Sequence, residues 1–386
     1  MLGCVFICCG SACGGTARFR ETDICAQEVR AYLQAETAEE QYRVLLDNLN
    51  HIVDDQTVEF SYERETGKIY RVFCENVENA EEAFVLKANE EMVTGGLFIP
   101  GERYRCKMVA MSPSEAREYG LIDATTWREE YSEFVVSEEY LSIKNSPVRN
   151  ISLQRGYNYR DLGGWNTESG KTIKYGLIYR GGRTNEFSVS DKAVFTSYLK
   201  IKSEIDLRNA YDDGGQTTGI LGEGTFYLKA PILQYSYIFP SFSLNGREFD
   251  SNSPIQIKRI FEFWADESHY PLFFHCNAGA DRTGTLAFLI CGSLGVSVED
   301  LTRDFELTSF SSGGLRTRGK FDSPFSYGIM QDNAGNFVAW GDMIARIRSE
   351  YSTADGKLSS CIKKYLTDAC GVTEETLNKI ADILLK

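Results

Sequence analysis

The stretch YPLFFHCNAGADRTGTLAFLI, from Tyr270 to Ile290, carries the strongest signal for the fold of this chain. It opens with a continuous apolar run, crosses a loop of small residues and continues in a helical pattern from about Thr283. A continuous apolar run is typical of a parallel strand that is buried on both faces. Ligands bind beyond the carboxyl ends of such strands, so we expect a ligand site in the loop between His275 and Gly284.

Inside this loop, five residues separate Cys276 from Arg282. A short loop that closes onto a helix N-terminus turns successive backbone N–H groups inward, and the helix dipole strengthens the resulting anion site. Gly279 allows a turn that a side chain would obstruct, and a guanidinium binds two phosphate oxygens where an ammonium cannot. The same positive field stabilises a thiolate. We therefore predict that Cys276 is a nucleophile in a phosphate-binding loop made of Asn277, Ala278, Gly279, Ala280, Asp281 and Arg282.

The residues of this loop also have ordinary structural interpretations. Taken alone, a cysteine after an apolar strand is usually a small buried hydrophobe, and a lone arginine is usually exposed. The combination of Cys276 with His275, Gly279 and Arg282 between a strand and a helix favours the catalytic interpretation.

Strand-like and helix-like segments alternate on both sides of the loop. The runs GLIYR (176–180) and SEIDLRN (203–209) predict strands, and PIQIKRIFEFWADE (254–267) predicts a helix. Such alternation predicts an α/β domain over residues 144–386, with a mostly parallel central sheet flanked by helices. The tail after Gly356 predicts two further helices, the second of which begins near Thr373.

Residues 23–143 have a different pattern. A helix is predicted from Thr37 to Leu49, because a capping residue and early glutamates precede an apolar stripe. Strand-like runs follow, and GGLFIPGERYRCKMVAMS (95–112) loosely resembles the turn and strand of a fibronectin type III or immunoglobulin-like domain. The resemblance covers about Val53 to Val136 and implies a small all-β sandwich, acting as a spacer, a docking module or a stabilising appendage.

The first 22 residues are predicted to be a leader segment. They are apolar and rich in small residues, as in a bacterial lipoprotein leader, although no basic residue precedes the apolar run. This predicts a location in the bacterial cell envelope, either lipid-anchored or secreted into the periplasm, with a membrane tether only through an acylated cysteine. With a mis-assigned start or a cloned remnant the compartment would be unknown, and the alternative location is the cytoplasm. The candidate acylated residues are Cys13, Cys9 and Cys8.

Charge and cysteine spacing exclude several classes of partner. The formal net charge of −14 argues against general binding of nucleic acid or anionic membranes, since both require a basic surface. A phosphate site in this chain must therefore be locally positive. The cysteines lack the paired spacing of zinc sites, and we expect no metal and no cofactor. Cys74 and Cys106 would be able to pair only in an oxidising compartment.

The loop sequence His-Cys-(x)5-Arg-Thr-Gly resembles the signature of the cysteine-based protein tyrosine phosphatase superfamily. Upstream, NYRDLGGW (158–165), GLIYRGG (176–182) and EIDLRN (204–209) are similar to the opening motifs of its bacterial tyrosine/serine and lipid-type phosphatases. The motifs occur in the expected order and cover about Arg149 to Lys386. The resemblance implies a metal-free phosphomonoester hydrolase.

The resemblance also implies roles for individual residues. Cys276 would form a phosphocysteine, Arg282 would bind the transferring phosphoryl group, and Thr283 would donate a hydrogen bond to the leaving thiolate. Asp281 would protonate the leaving oxygen and later activate water. Further residues are expected beside the loop, either contacting substrate or bracing the loop through salt bridges: His275, Asp206, Arg208, Asn158, Arg160 and Asp161.

One departure from the family pattern bears on the substrate. Many of these phosphatases carry a lysine where this chain has Ala280, and a charge-assisted contact contributes roughly 1.5–3 kcal/mol. Its absence favours phosphotyrosine in a protein, or a small aryl phosphomonoester, over phosphoinositides. The aromatic stretch from Tyr235 to Phe242 is a candidate wall or lid for such a ring. The alternatives are a phosphoinositide or inositol polyphosphate phosphatase, and a pseudophosphatase that binds phosphorylated ligands without turnover.

Overall fold

The computed structural model describes residues 18–48, 53, 58–80, 83–87, 95–122, 126–311, 316–317 and 331–386, with the backbone alone for 331–338. The candidate acylated cysteines of the predicted leader lie outside the described residues. The described residues form two compact units. The smaller takes its residues from Met1–Thr22, Phe60–Glu90 and Glu102–Ile143, and the larger from Asp23–Glu59, Glu91–Gly101 and Lys144–Lys386.

A single five-stranded sheet forms the centre of the smaller unit. Its order is β1-β5-β4-β2-β3, and neighbouring strands are antiparallel except for the parallel pair β1 and β5. The strands are β1 Arg20–Thr22, β2 Ile69–Asn76, β3 Ala83–Lys87, β4 Arg103–Met111 and β5 Val135–Ile143.

One face of this sheet is covered by a helix rather than by a second sheet. Helix α3, Pro113–Glu118, begins with a capping box in which the side chains of Ser112 and Glu115 each accept from the other's backbone N–H. Its Ala116 packs with Phe73 and Val109 of the sheet. Leu121 and Tyr131 pack in the same cluster. The predicted all-β sandwich is therefore not confirmed, since the described strands of this unit form one sheet with helical segments against it.

The larger unit contains a six-stranded sheet of order β10-β9-β13-β8-β7-β6, in which β10, β9, β13 and β8 are parallel. Strands β7 and β6 extend it in antiparallel fashion at one edge. A separate hairpin is formed by β11 and β12. The strands are β6 Arg149–Asn150, β7 Arg160–Asp161, β8 Ile178–Gly181, β9 Ser203–Asp206, β10 Phe226–Lys229, β11 Ser241–Leu244, β12 Arg247–Asp250 and β13 Leu272–His275.

The helices of the larger unit include those that the sequence predicted around the loop and in the tail. They are α1 Gln27–Gln34, α2 Ala38–Asp47, α4 Val189–Ala193, α5 Ala210–Asp213, α6 Ser253–Trp264, α7 Asp281–Ser293, α8 Val298–Glu306, α9 Gln331–Glu350, α10 Leu358–Asp368 and α11 Glu374–Leu384. Short 3-10 turns lie at Gly95–Leu97, Tyr235–Ile238, Glu267–His269 and Leu307–Phe310, one π-helical turn lies at Val194–Tyr198, and the smaller unit has a 3-10 turn at Glu129–Phe134.

Helices α1 and α2 belong to the larger unit, whereas the sequence grouped them with the β domain over 23–143. Val29, Tyr32 and Leu45 are all but fully buried in the main core of the larger unit. An amphipathic helix is stabilised chiefly by packing of its apolar stripe. The domain boundary therefore follows this packing and not the order of the chain.

The central strand β13 is buried on both faces, as its continuous apolar run predicted. Leu272 and Phe274 lie in the main core, and Phe273 lies in a second cluster with Tyr159 and Phe195 on the other face. Successive side chains of a strand point to opposite faces, and burial of each of these residues contributes roughly 1.5–3 kcal/mol. Among the helices described, none has the length and apolar composition that crossing a membrane requires.

Candidate active site

The loop from Cys276 to Ala280 lies between β13 and α7, and β13 is flanked by the parallel strands β8 and β9. The helix begins at Asp281, two residues before the predicted start. Cys276 is 2% exposed. The predicted loop residues therefore stand together at the carboxyl end of the central strand, where an α/β sheet binds ligands.

Groups outside the loop donate hydrogen bonds to its carbonyl groups. The carbonyl oxygen of Asn277 accepts from the hydroxyl of Tyr157 at 3.1 Å and from the backbone N–H of Arg183 at 2.9 Å. The carbonyl of Ala278 accepts from Nδ2 of Asn158 at 3.0 Å.

The next carbonyl, that of Gly279, accepts from Nη2 of Arg180 at 2.7 Å. Three successive carbonyl groups therefore have outside donors. Among the described contacts, no protein acceptor is recorded for the N–H groups of 277–280. Such unpaired N–H groups at a helix N-terminus are the donors of an anion site.

Gly279 has a left-handed backbone with φ of +68°, and it packs directly on the end of β8. A Cβ at this position would lie 2.5 Å from the carbonyl carbon of Gly181 and 2.7 Å from the backbone nitrogen of Gly182. Only glycine combines this φ with so close an approach of two backbones. The strand β8 thus fixes the curvature of the loop.

A buried network of ion pairs contacts the loop. The carboxylate of Asp304, on α8, accepts from Nε of Arg160 at 2.8 Å and from Nη1 of Arg180. Burial by itself opposes ionisation of Asp304, but the charges of the two arginines outweigh it and hold the pKa of Asp304 below its ordinary value. Because Arg180 also donates to the carbonyl of Gly279, the network connects α8 to the backbone of the loop.

The predicted acid–base residue, Asp281, is paired. Its Oδ1 lies 2.9 Å from Nη2 of Arg316, its Oδ2 lies 3.2 Å from the same nitrogen, and it also accepts from the hydroxyl of Tyr235. Tyr235 is 3% exposed and has a φ of +51°, which is unusual for a residue other than glycine. Burial raises the pKa of Tyr235, and the neighbouring Asp281 raises it further, so the hydroxyl stays protonated and donates.

The aromatic stretch that was a candidate lid is largely packed. Only Tyr235 of this stretch contacts Asp281 in the described structure, whereas Ile238 and Phe239 are buried in the main core. Phe242 stacks on Phe249 within the hairpin of β11 and β12. The structure therefore assigns one residue of the stretch to the site.

Arg282 forms an ion pair with Asp212, whose Oδ2 lies 2.5 Å from Nη1 of the guanidinium. Oδ1 of Asp212 lies 3.4 Å from Nδ2 of Asn277. The side chains of Arg282 and Asp212 are 15% and 21% exposed. Thr283 is fully buried, and its hydroxyl has no hydrogen-bond partner among the described residues, which is compatible with a donor for a thiolate.

Most of the supporting residues predicted from the sequence lie at the loop or at the end of a neighbouring strand, whereas Asp161 does not. Asn158 contacts the loop, and Arg160 acts through it, since Nη1 of Arg160 donates to Oδ1 of Asn158 at 2.6 Å. Nε2 of His275 lies 3.0 Å from Oε1 of Glu204 and fixes the end of β13. Asp161 instead accepts from Arg149 at 2.9 Å and contacts no loop residue within the described structure.

Asp206 and Arg208 lie at the end of β9, where Oδ1 of Asp206 accepts from Nε of Arg208 at 2.9 Å. Burial alone would raise the pKa of Asp206, but the hydrogen bond from Arg208 and the contact with Lys229 outweigh it and lower that pKa. Both residues brace the strand end next to the loop. Whether they also touch a substrate stays a prediction.

Sequence reasoning did not identify several residues that the fold brings to the loop. Asp304 lies on the buried face of an amphipathic helix, where a charged residue signals a buried partner. Arg180 and Glu204 lie within the upstream motifs GLIYRGG and EIDLRN, although neither was assigned a role, and for the others the sequence offered no local signal. The missed residues are Tyr157, Arg180, Glu204, Asp212, Asp304 and Arg316. Within the part of the chain described, no cluster of three or more His, Cys, Asp or Glu residues is arranged to hold a metal ion.

A family model described as the tyrosine phosphatase family matches residues 151–386. A protein from Cupriavidus necator, named provisionally as a tyrosine-protein phosphatase, is 25% identical over 162 residues, which are 38% of this chain and 59% of that protein. A tyrosine-protein phosphatase from Nostoc commune is 24% identical over 205 residues, 47% of this chain and 65% of that protein. The chain thus spans about three fifths of the length of these curated relatives.

Two solved structures show weaker likeness. The core catalytic domain of the PP-IP phosphatase SIW14 from S. cerevisiae, in complex with citrate, has a TM-score of 0.26 and 17% identity, covering 46% of this chain and 91% of that chain. TpbA from P. aeruginosa, in complex with pTyr, has a TM-score of 0.25 and 15% identity, covering 45% of this chain and 90% of that chain. These values are too low to support an inference about substrate.

The family match and the candidate site coincide. The matched residues 151–386 contain the loop, the strands that flank it and the buried ion network beneath it. Because the match covers more than half of the chain, this protein belongs to the tyrosine phosphatase family, as its motifs predicted.

Proposed function

We propose that this protein hydrolyses phosphomonoesters through a phosphocysteine formed on Cys276, with phosphotyrosine in a protein, or a small aryl phosphate, as its substrate. The observation that carries the proposal is the loop itself. Its carbonyl groups are held outward, its N–H groups lack protein acceptors among the described residues, and Arg282 stands beside it. This arrangement binds a dianion and stabilises a thiolate.

In the first step, the sulfur of Cys276 attacks phosphorus and the bond to the leaving oxygen breaks. Loop N–H groups and the guanidinium of Arg282 bind the non-bridging oxygens and stabilise the charge that develops on them. In the second step, water attacks the phosphocysteine, and the thiolate leaves with a hydrogen bond from Thr283. Asp281 removes a proton from that water.

The pairing of Asp281 favours an aryl leaving group. Its two oxygens accept hydrogen bonds from Arg316, which is the pattern of an ionised carboxylate. An ionised carboxylate is ready to activate water, but it has no proton to give in the first step. A phenolate, whose conjugate acid has a pKa of about 10, departs with less help from an acid than the far more basic alkoxide of serine or inositol.

The charges around the loop also favour a substrate with one phosphate. Among the described residues, the arginines that contact the loop or its acid–base residue each have a carboxylate partner. These pairs are Arg180 with Asp304, Arg183 with Glu186, Arg282 with Asp212, and Arg316 with Asp281. A second phosphate would need a further cation, and Ala280 does not supply one.

The test is steady-state hydrolysis of para-nitrophenyl phosphate in the presence of EDTA. We expect turnover by the wild type, no turnover by Cys276→Ser, and retained binding of a phosphotyrosine peptide by that variant. Cys361→Ser, which alters a buried cysteine on α10, is the matched control and should remain active. Turnover by Cys276→Ser would refute the mechanism. Binding without turnover in the wild type would indicate a pseudophosphatase, and a preference for phosphoinositides would refute the substrate class.

A further inference from the structure

Asp212 occupies hydrogen-bond donors that the proposed function assigns to phosphate. Its Oδ2 lies 2.5 Å from Nη1 of Arg282, and its Oδ1 lies 3.4 Å from Nδ2 of Asn277. Both partners belong to the phosphate-binding loop. The ion pair uses Nη1 of Arg282, so a phosphate bound through Nε and Nη2 of the guanidinium lies beside the carboxylate of Asp212.

The fold holds Asp212 in this position. Oδ1 of Asn209 caps the short helix α5 and accepts from the N–H groups of Tyr211 at 2.9 Å and of Asp212 at 3.1 Å. The next residue, Asp213, forms an ion pair with Lys229 of β10. Two adjacent aspartates thus have separate partners, one in the sheet and one in the loop.

Lys229 is in turn held by Asp206, whose Oδ2 lies 2.9 Å from the lysine Nζ. This second contact fixes α5 to the ends of β9 and β10. The backbone of α5 therefore keeps the carboxylate of Asp212 beside a phosphate bound to Arg282. With its side chain 21% exposed, Asp212 is partly shielded from the screening that solvent and salt exert on surface charges.

We propose that Asp212 is a specificity-determining residue that restricts the site to substrates with a single phosphate. The first phosphate gains Arg282 and the loop N–H groups, which outweigh its repulsion by Asp212. A second phosphate on the Asp212 side of the first meets this carboxylate, and the described arginines that contact the loop already have carboxylate partners. The inference rests on the proposed function and narrows its substrate class to singly phosphorylated esters.

The experiment compares a phosphotyrosine peptide with the same peptide carrying a phosphoserine beside the phosphotyrosine. At low salt, we expect the wild type to prefer the singly phosphorylated peptide by roughly tenfold in kcat/KM, the size expected for like charges less than ~10 Å apart in a partly exposed site. Asp212→Asn keeps an acceptor for Arg282 but removes the charge, and should lower this preference to about threefold or less.

Two control variants separate this charge from structural effects. Asp212→Glu keeps the charge and should keep the preference. Glu223→Gln removes a charge from an exposed residue farther along the chain and should behave as the wild type. The inhibition constant of inorganic phosphate should fall in Asp212→Asn alone, because a carboxylate no longer repels the phosphate bound to Arg282.

The outcomes distinguish this inference from the proposed function. One outcome is that Asp212→Asn turns over para-nitrophenyl phosphate normally and still shows the wild-type preference for the singly phosphorylated peptide and the wild-type inhibition constant of phosphate. That result would overturn the role of Asp212 but not the proposed hydrolase activity. If the wild type turns over no phosphomonoester, the proposed function fails. Binding of the two peptides to Cys276→Ser, with and without Asp212→Asn, then tests the inference alone, and equal discrimination by both proteins would refute it.

Discussion

Replacement of Gly279 by alanine should distort the backbone of the loop without changing its reactive side chains. The φ of +68° places an L-residue in the left-handed region, which costs about 1–2 kcal/mol. The added Cβ would also lie 2.5 Å from the carbonyl carbon of Gly181, and the atoms it meets are all backbone. Moving it from 2.5 Å to the 3.4 Å of an ordinary contact requires a displacement of about 0.9 Å.

A shift of this size moves the N–H groups of the loop away from the phosphate oxygens. Misplacement of reacting groups by ~1 Å lowers rates by about 10²-fold, so we expect kcat/KM on para-nitrophenyl phosphate to fall by about that factor. Overpacking adds about 1–3 kcal/mol to the strain of the left-handed backbone. The total loss of stability for Gly279→Ala should therefore be about 2–5 kcal/mol.

Gly356 offers a matched control. Its φ is +65°, but a Cβ there would meet no atom within 4 Å. Gly356→Ala should lose about 1–2 kcal/mol of stability and keep its activity. The measurements are kcat/KM, the inhibition constant of inorganic phosphate and thermal unfolding for both variants. If Gly279→Ala retains kcat/KM within about threefold of Gly356→Ala, the loop does not depend on this close approach, and the reasoning is refuted.

Three further predictions concern charge, proton transfer and thiol chemistry. Asp304→Asn should destabilise the protein by about 3–5 kcal/mol, since it leaves two buried arginines without their anion, whereas Asp300→Asn, at a partly exposed ion pair on the same helix, should change stability by less than about 1 kcal/mol. The pKa of Asp304 is depressed below 3.8 in the folded state. The extra stability of the wild type over Asp304→Asn should therefore be complete above about pH 4 and shrink as the pH falls through the folded-state pKa. A stability difference that does not depend on pH in thermal unfolding would contradict this. Asp281→Asn should lower kcat by about 10² or more and by a similar factor across a leaving-group series, because the water that hydrolyses the phosphocysteine loses its base; a loss that grows with the basicity of the leaving group would exclude the assigned role. Cys74 and Cys106 lie directly opposite each other in β2 and β4, with Sγ atoms 2.8 Å apart, so oxidised glutathione should link them and stabilise the protein by about 3–4 kcal/mol; peptide mapping that finds both thiols free after oxidation would refute the pairing.

Local signals in the sequence predicted the loop and its two flanking elements. The apolar run of β13, the small residues after Cys276 and the helical pattern of α7 all lie within 21 residues. The helix beginning near Thr373 was likewise visible from its cap, since the Thr373 side chain accepts from the N–H of Thr376. Periodicity and capping depend on neighbours in the chain, so they can be read without the fold.

The partners of the loop could not be predicted in this way. Asp212 reaches Arg282 across 70 residues, and Asp304 reaches Arg180 across 124 residues. Nothing near Asp212 in the sequence separates it from Asp213, although one contacts the loop and the other contacts a strand. Ion pairs of this kind are properties of strand order and helix placement, and they emerge only when the sheet is assembled.

Similarly, the sandwich prediction was not confirmed, because strand-like runs do not indicate which element packs against a sheet. The short capped helix at Pro113–Glu118 covers one face of the five-stranded sheet, so a second sheet is not needed there. A sheet must bury one face against another element, but the identity of that element depends on a six-residue segment. Short helices are the elements that periodicity detects least well.

The contact between α1 and α8 has a consequence for the order in which this protein matures on the ribosome. The hydroxyl of Tyr32 donates to Oε2 of Glu306 at 2.5 Å, across 274 residues. Helix α1 is synthesised early, but its buried partner emerges only after most of the chain. The same stretch of α8 carries Asp304, which braces the loop through Arg180. A nascent chain therefore has Cys276 before it has the support that shapes the loop, and nucleophilic reactivity of that thiol should appear only after α8 has emerged and packed.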